Sequence, residues 1–347
     1  MSEPAAPGIV TIYPLPGMPE LTTGHHLGGE LRLALERNEV GLVDGDVLVI
    51  SSKVISKNSG LTAPASERDQ AIGEATVRVV AERRTATGMA QIVESAAGPV
   101  MAAAGVDASN TGRDNIILML PTDPDLAART IYAELLSAYS PQPLPRIGIV
   151  VTDTAGRPWR VGQTDIAIGS CALNTLDDLS GEVDVDGRAL AVTARAVADQ
   201  IAAAADLVKG KTWATPAAVI RGLPDGTVAS PGVAGASHLV RTGPGDWFAL
   251  GSVEAVRSAL GAHPGSGAAH EVGVPTAAPE DAEVRVARAI KLALLGCPSS
   301  ITAEQVASDH LRQVCTVSGA DDFQRGRLSA RLEVALASER LISWSVE

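Results

Sequence analysis

The sequence predicts an α+β protein, with mixed or antiparallel sheets and helices over residues 1–250 and a small all-α region at 280–347. Three observations carry this. Short apolar runs and amphipathic helical stretches alternate in the first part, but without the regular strand–helix beat of a doubly wound fold. Composition then shifts at Gly261–Pro279, where Gly, Ala, Ser, Pro and His crowd together, so residues 251–279 read as a linker. Beyond it only helical periodicity is found.

The elements follow in order. Ile9–Tyr13 reads as an opening strand, closed by the turn-rich run Pro14-Leu15-Pro16-Gly17-Met18-Pro19. Leu27–Leu35 reads as a helix, and Val47–Ile50 as a short buried strand bounded by Asp46 and Ser51. Ile72, Ala75, Val79 and Val80 share one face of a helix expected over 68–84. Ile116–Leu120 and Ile147–Val151 are further strands, separated by a helix around Leu126–Tyr139. Asp186-Gly187 between short alternating segments signals a hairpin in Asp184–Val192. Thr193 can cap the next helix, which carries the stripe Val197, Ile201, Ala204, Ala205 and Val208 and stops at Gly210. Ala217–Ile220 is one more strand. The terminal region reads as helices at 280–295, at 302–314 with a Thr302…Gln305 capping box, and at 322–341.

Composition limits the function. The chain has 347 residues, is 46% hydrophobic and only 3% aromatic, so aliphatic side chains must fill a sizeable core. With 28 basic against 40 acidic residues the net charge is −12, which argues against nucleic acid or an anionic membrane as partner. No apolar run reaches about 18 residues, and Met1–Gly8 lacks the basic start and apolar run of a signal peptide. Cys171, Cys297 and Cys315 form no CxxC or Cys/His pattern. A reduced, cytoplasmic protein is expected.

Three polar clusters could carry chemistry. Ile147–Gly169 is an apolar strand ending in Thr152-Asp153-Thr154, followed by Gly156, Arg157, Trp159, Arg160, Gln163 and Asp165. A carboxylate and hydroxyl at a strand end, with guanidiniums behind, suit a divalent cation bridging phosphate oxygens. A surface turn in which the arginines pair Asp165 accounts for the same residues. Ser51-Ser52-Lys53-Val54-Ile55-Ser56-Lys57 alternates hydroxyls and amines, as phosphate contacts or as a solvated strand edge. In Gly105-Val106-Asp107-Ala108-Ser109-Asn110, Asp107 could ligate a metal and Asn110 touch a base or sugar; an Asx-type turn is the alternative. Lys209-Gly210-Lys211-Thr212 imitates the end of a P-loop, but position 205 is Ala and the preceding stretch reads as helix.

Taken together, GDVLVISSKVISKNSG (45–60), AAAGVDASN (102–110), VVTDTAGRPWRVGQTDIAIG (150–169) and ADQIAAAADLVKGKTWATPAAVIRG (198–222) resemble the coenzyme F420-0:L-glutamate ligase family. The likeness runs from about Ile9 to Leu250 and is nearest to the ligase half of the actinobacterial bifunctional enzyme. It implies a γ-glutamyl ligase with its own α+β fold and no P-loop, working as a homodimer. Such an enzyme uses GTP and divalent cations, Mg²⁺ or Mn²⁺ (with room for a monovalent cation such as K⁺), to couple L-glutamate to the lactyl carboxylate of coenzyme F420-0, then extends the tail through γ-linkages. Residue by residue, the resemblance implies Asp107, Asp153 and Thr154 as metal ligands. It places Met18, Pro19, Glu20, Leu21, Ser52, Lys57 and Asn110 on GTP. Lys57 and Arg157 are the expected catalytic cations.

Two departures stand out. Archaeal members carry a carboxamide or carboxylate where this chain has Lys211. The actinobacterial relatives continue into an FMN-binding domain of about 200 residues, and no flavin-binding pattern follows Leu250 here, so no FMN is expected. Alternative readings are an amide ligase of the same fold acting on another carboxylate, and a non-catalytic nucleotide-binding protein.

Overall fold

The computed structural model describes residues 8–109, 111, 115–191, 193–210, 212–306, 314–319, 321–341 and 343–347. Two compact units are formed, one from residues up to Thr76 together with Ser95–Arg241, the other from Val77–Glu94 with Thr242–Glu347.

The first unit opens with β1 (Thr11–Pro14), α1 (Leu27–Arg37), β2 (Val47–Ser51), α2 (Ser52–Asn58), β3 (Thr62–Pro64) and α3 (Arg68–Glu74). The chain then forms β4 (Thr76–Thr85) and β5 (Gly88–Ser95), the hairpin contributed to the second unit. After β6 (Val100–Ala102) and β7 (Ile116–Leu118) come α4 (Pro124–Ala138), β8 (Gly148–Arg157) and β9 (Arg160–Cys171). The paired strands β10 (Leu176–Asp178) and β11 (Ala194–Ala196) precede α5 (Val197–Lys209) and β12 (Ala217–Arg221).

Five of these strands form one sheet in the order β1-β12-β2-β8-β9. Only β2 and β8 run parallel; the other pairs are antiparallel. Both faces of this sheet are covered, which is why its central strands read as unbroken apolar runs. On β2, Leu48 and Ile50 join Leu31 and Leu35 of α1 and Ile131 and Leu135 of α4 in one core cluster. Val47 and Val49 point the other way and join Ile201, Ala202 and Ala205 of α5. The mixed α+β class holds.

Close helix–sheet packing sets one glycine. A Cβ on Gly169 of β9 would fall 2.2 Å from the carbonyl oxygen of Pro124 at the start of α4. Backbone cannot yield as a side-chain tip does, so Gly169→Ala should cost about 1–3 kcal/mol through overpacking. A urea unfolding midpoint equal to that of the unmodified protein would contradict this.

Several local expectations are corrected. The helix expected over 68–84 stops at Glu74, and Val79 and Val80 lie on β4. Its apolar residues fit either period, and the β-branched run Thr76-Val77-Arg78-Val79-Val80 prefers the pleat. Thr193 caps nothing: α5 begins at Val197 after Ala196, which makes no side-chain cap. The reversal expected at Asp186-Gly187 does form: a turn at Asp184–Gly187 closes an antiparallel bridge between Val183 and Ala189, flanked by backbone bonds from Asp184 to Arg188 and from Leu190 to Glu182, both at 2.8 Å.

The second unit, beyond the β4–β5 hairpin, contains α6 (Ser252–Ala259), α7 (Gly267–Val272), α8 (Ala282–Leu294), β13 (Thr302–Val306), β14 (Val314–Ser318), α9 (Asp322–Ser338) and β15 (Ser345–Val346). Residues 251–279 are therefore not a linker. Ala262, Ala269 and Val272 are buried with Val286, Leu292, Leu328 and Leu332, because small side chains let short helices approach closely. Nor is the region beyond 280 all helical. Thr302–Val306 pairs antiparallel with Val314–Ser318, which pairs parallel with β15. The Thr302…Gln305 spacing that imitates a capping box sits on a strand, with residues 307–313 outside the described residues. Arg288 is buried between Glu280 and Glu339, at 2.7 and 2.6 Å. Among the described residues, no helix is long and apolar enough to cross a membrane.

Candidate active site

The site lies at one end of the five-stranded sheet. The parallel strands β2 and β8 lie in register there, Ser51 beside Thr152. Strand β12 starts at the same end, and the Ser51 amide donates to the Pro216 carbonyl at 2.9 Å. The Leu15 amide donates to the Ala217 carbonyl at 2.9 Å, which starts the 15–21 segment alongside. Carboxyl ends of parallel strands are where open sheets place their ligands.

Side chains of β8 divide between the faces by the strand's two-residue period. A bulge between Val151 and Thr152 interrupts the ladder with β9 just there. On one side, Asp153 accepts a hydrogen bond from Ser52 Oγ, the first residue of α2, at 2.9 Å. On the other, Thr152 and Thr154 donate to the carboxylate of Asp165, at 2.7 and 2.8 Å. Lys209, the last residue of α5, reaches the same carboxylate and Thr152 Oγ1, both at 2.6 Å. Lys209 and Asp165 are each buried.

Asp107 comes from a separate stretch. Its backbone is clamped in both directions by Leu118 of β7, at 3.0 and 2.7 Å. Ser56 Oγ ties α2 to the Met119 carbonyl at 2.6 Å. This brings the Lys53 ammonium to 2.6 Å from the Asp107 carboxylate, where it also bonds Ser109 Oγ. The Asp107 carboxylate accepts the Ser109 amide and hydroxyl as well, both at 2.8 Å, so the Asx-type turn is real. Turn and charge pairing coexist.

Electrostatics separate the three carboxylates. Burial pushes Asp153 up to about 6, the negative Asp165 adds to this, and Ser52 and Lys53 only partly offset it. Burial acts the same way on Asp165, but Lys209 and the two threonine hydroxyls outweigh it and hold the group below its usual range. Asp107 is also lowered: burial opposes, and the hydrogen bonds from Lys53 and Ser109 win.

A cavity of about 650 Å³ opens over this end of the sheet, within the range of small-molecule sites. Met18, Pro19, Glu20 and Leu21, the four residues that the resemblance places on GTP, line one wall. Lys53, Lys57, Thr154 and Asp165 line it too, with Lys209 and Thr215 opposite in sequence. Lys57 pairs with Glu20 across that lining. Ser52, Asp153 and Asp107 are not among the lining residues; Asp153 bonds Ser52, and Asp107 pairs with the lining Lys53. Arg157 is not among the lining residues: it sits exposed at the far end of β8, opposite Arg160 in the hairpin with β9. Asn110 and Lys211 lie outside the described residues. The P-loop look-alike is a helix end, with Gly210 in the left-handed region at φ +35° closing α5.

Two contacts of this site are not legible in the sequence. Asp165 is paired with buried Lys209 and not with the nearby arginines, and Lys53, expected as a phosphate contact or part of a solvated strand edge, pairs with Asp107. Only the alternation Thr152/Thr154 hints at the first, since both hydroxyls must face one strand. The donor set is all oxygen: two carboxylates and a hydroxyl from the expected ligands, with a third carboxylate beside them. Hard divalent cations take such donors. A half-buried Asp153 that resists ionisation is also a group that a cation would relieve. Among the described residues, no three His, Cys, Asp or Glu side chains cluster tightly enough to hold a metal by themselves. Remaining ligands would have to come from phosphate or water, as Mg²⁺ sites commonly arrange.

Comparison with known proteins gives a consistent picture. The model of the family described as F420-0:Gamma-glutamyl ligase matches residues 17–222, which contain every cavity-lining residue named above. The chain is 35% identical over 230 residues to the coenzyme F420:L-glutamate ligase of Halobacterium salinarum, covering 60% of this chain and 85% of that protein. It is 32% identical over 248 residues to the protein of the same name from Methanothermobacter thermautotrophicus, covering 67% of this chain and 96% of that one. Residues 242–347 lie beyond the family match.

Proposed function

This chain belongs to the F420-0:gamma-glutamyl ligase family, and from that premise we propose that it is a GTP-dependent ligase joining L-glutamate to the lactyl carboxylate of coenzyme F420-0. Further glutamates would then be added through γ-linkages. One observation carries the reading. Residues from four distant stretches (18–21, 53–57, 154–165 and 206–216) line a single 650 Å³ cavity, and Asp107 pairs with the lining Lys53 while Asp153 bonds Ser52, beside the lining Ser51 and Lys53 in sequence.

The chemistry suits these groups. A carboxylate is a poor electrophile, so amide formation first needs activation. An acceptor carboxylate oxygen attacks the γ-phosphorus of GTP, GDP leaves, and an acyl phosphate forms. The glutamate amine then attacks the acyl carbon, inorganic phosphate departs and the amine loses a proton. Lys53 and Lys57, both lining the cavity, supply positive charge toward the phosphates on an otherwise acidic protein. The 18–21 wall and Ser51 shape the nucleotide's seat. Asp107, Asp153 and Thr154 would hold the divalent cations, whose chemistry is to neutralise charge that develops on transferring phosphoryl oxygens. Arg157, at the exposed hairpin end, is given no role within this cavity. A homodimer in the cytoplasm goes with this reading.

Product mass tests it. Incubated with F420-0, L-glutamate, GTP and Mn²⁺, the protein should convert F420-0 to species heavier by whole glutamyl residues and release GDP. An unchanged F420-0 mass alongside GDP release would indicate another carboxylate acceptor. No GDP release with any acceptor would reject the ligase reading altogether.

A further inference from the structure

The protons around Asp165 can be counted. Thr152 Oγ1 donates to Asp165 Oδ2 at 2.7 Å, and Thr154 Oγ1 donates to Asp165 Oδ1 at 2.8 Å. Lys209 Nζ donates to Asp165 Oδ2 and to Thr152 Oγ1. A hydroxyl has one proton and two acceptor lone pairs. Thr154 directs its proton to Asp165, so toward the cavity it offers lone pairs only. A phosphate oxygen, itself an acceptor, finds no donor there. A cation or an N–H group does find a partner.

We infer that Asp165 is a positioning residue: by accepting the Thr154 proton it makes the Thr154 oxygen an obligate acceptor for a divalent cation, while the hydrogen bond from Lys209 holds the Asp165 carboxylate in place. The inference rests on the proposed function, which supplies the cation. It adds two residues, Asp165 and Lys209, to those the resemblance implied. A lysine buried against a carboxylate purely for stability would need no cavity-lining hydroxyl bonded to that carboxylate. Thr154 is such a hydroxyl.

The test is Mn²⁺ affinity of the full chain, measured by electron paramagnetic resonance with the metal alone and with GTP added. Asp165→Asn/Lys209→Met neutralises both members of the pair, so no buried charge is left unpartnered. It should bind Mn²⁺ about 10–100-fold more weakly, the usual effect of removing a group that orients a ligand. Thr154→Val should show a comparable loss, and the triple variant no further loss, because the pair acts through Thr154. Thr154→Ser, which keeps the hydroxyl, should retain the affinity; this comparison decides the matter even where the double variant does not fold. Unchanged affinity in the folded double variant, equal losses in the wild-type and Thr154→Val backgrounds, or Val and Ser behaving alike would overturn the inference alone. A wild-type protein that takes up no Mn²⁺ under either condition would overturn both it and the cation role in the proposed function.

Discussion

Asp153→Asn should make the cation-free protein more stable while removing its ligase activity. Asp153 is pushed up to about 6 in the fold from an ordinary 3.8, first by burial and then by the charge of Asp165. Between those two values the folded chain binds more protons than the unfolded one. Stability therefore falls as pH rises through that window, and at pH 7 the ionised carboxylate costs about 2–3 kcal/mol. Asparagine removes the charge yet keeps an oxygen to accept from Ser52. The melting temperature at pH 7 should rise by about 4–8 °C, and the advantage should shrink to a small remnant near pH 4 and vanish as pH falls below 3.8, where the wild-type carboxyl becomes protonated in both states. Under the proposed function the same change deletes an anionic ligand, and turnover should drop by about three orders of magnitude, the scale on which electrostatic stabilisation of transferring groups acts. Calorimetry across pH 4–7 and the product-mass assay read the two effects separately. A variant less stable than wild type at pH 7 would contradict the electrostatic account of this carboxylate.

Asp125→Ala should be among the most damaging single changes outside the cavity. The Asp125 carboxylate is buried at the start of α4, where it accepts the amides of Ser170 and Ala236 at 2.8 Å and of Ser237 at 3.2 Å. Alanine leaves those donors without an acceptor where water has little access. Hydrogen bonds to a charged group contribute about 1.5–3 kcal/mol each, so a loss of about 3–5 kcal/mol is expected. Asp125→Asn keeps one oxygen for Ser170 and Ala236 and should lose less. Urea unfolding of both variants checks the order. Equal losses, or a loss below about 1 kcal/mol for alanine, would show that these amides find other partners.

Much of the fold was legible because burial on both faces leaves a plain mark. Val47–Ile50, Ile147–Val151 and Ala217–Ile220 are apolar at every position, and each is a strand of the five-stranded sheet. Where a segment's residues suit two periods, the sequence misled. Val79 and Val80 fit a helix face and a pleated strand alike, and only pairing chose the strand. Thr302…Gln305 fits a capping box and a strand alike. The Gly/Ala-rich stretch before Pro279 reads as linker by composition, yet Ala262 and Ala269 are fully buried, since small size suits a tight helix contact as well as a loop.

For the site, the sequence by itself determined which stretches matter: 18–21, 51–57, 102–110 and 150–169 carry the hydroxyls, carboxylates and amines, and their order along the chain marks the family. Tertiary structure decided which of those groups touch. That Asp165 is held by Lys209, 44 residues away, that Lys53 pairs with Asp107, and that Arg157 is not among the cavity-lining residues all depend on strand register and helix placement. Those are set by packing the two faces of the sheet, a cooperative choice that no local run of residues records.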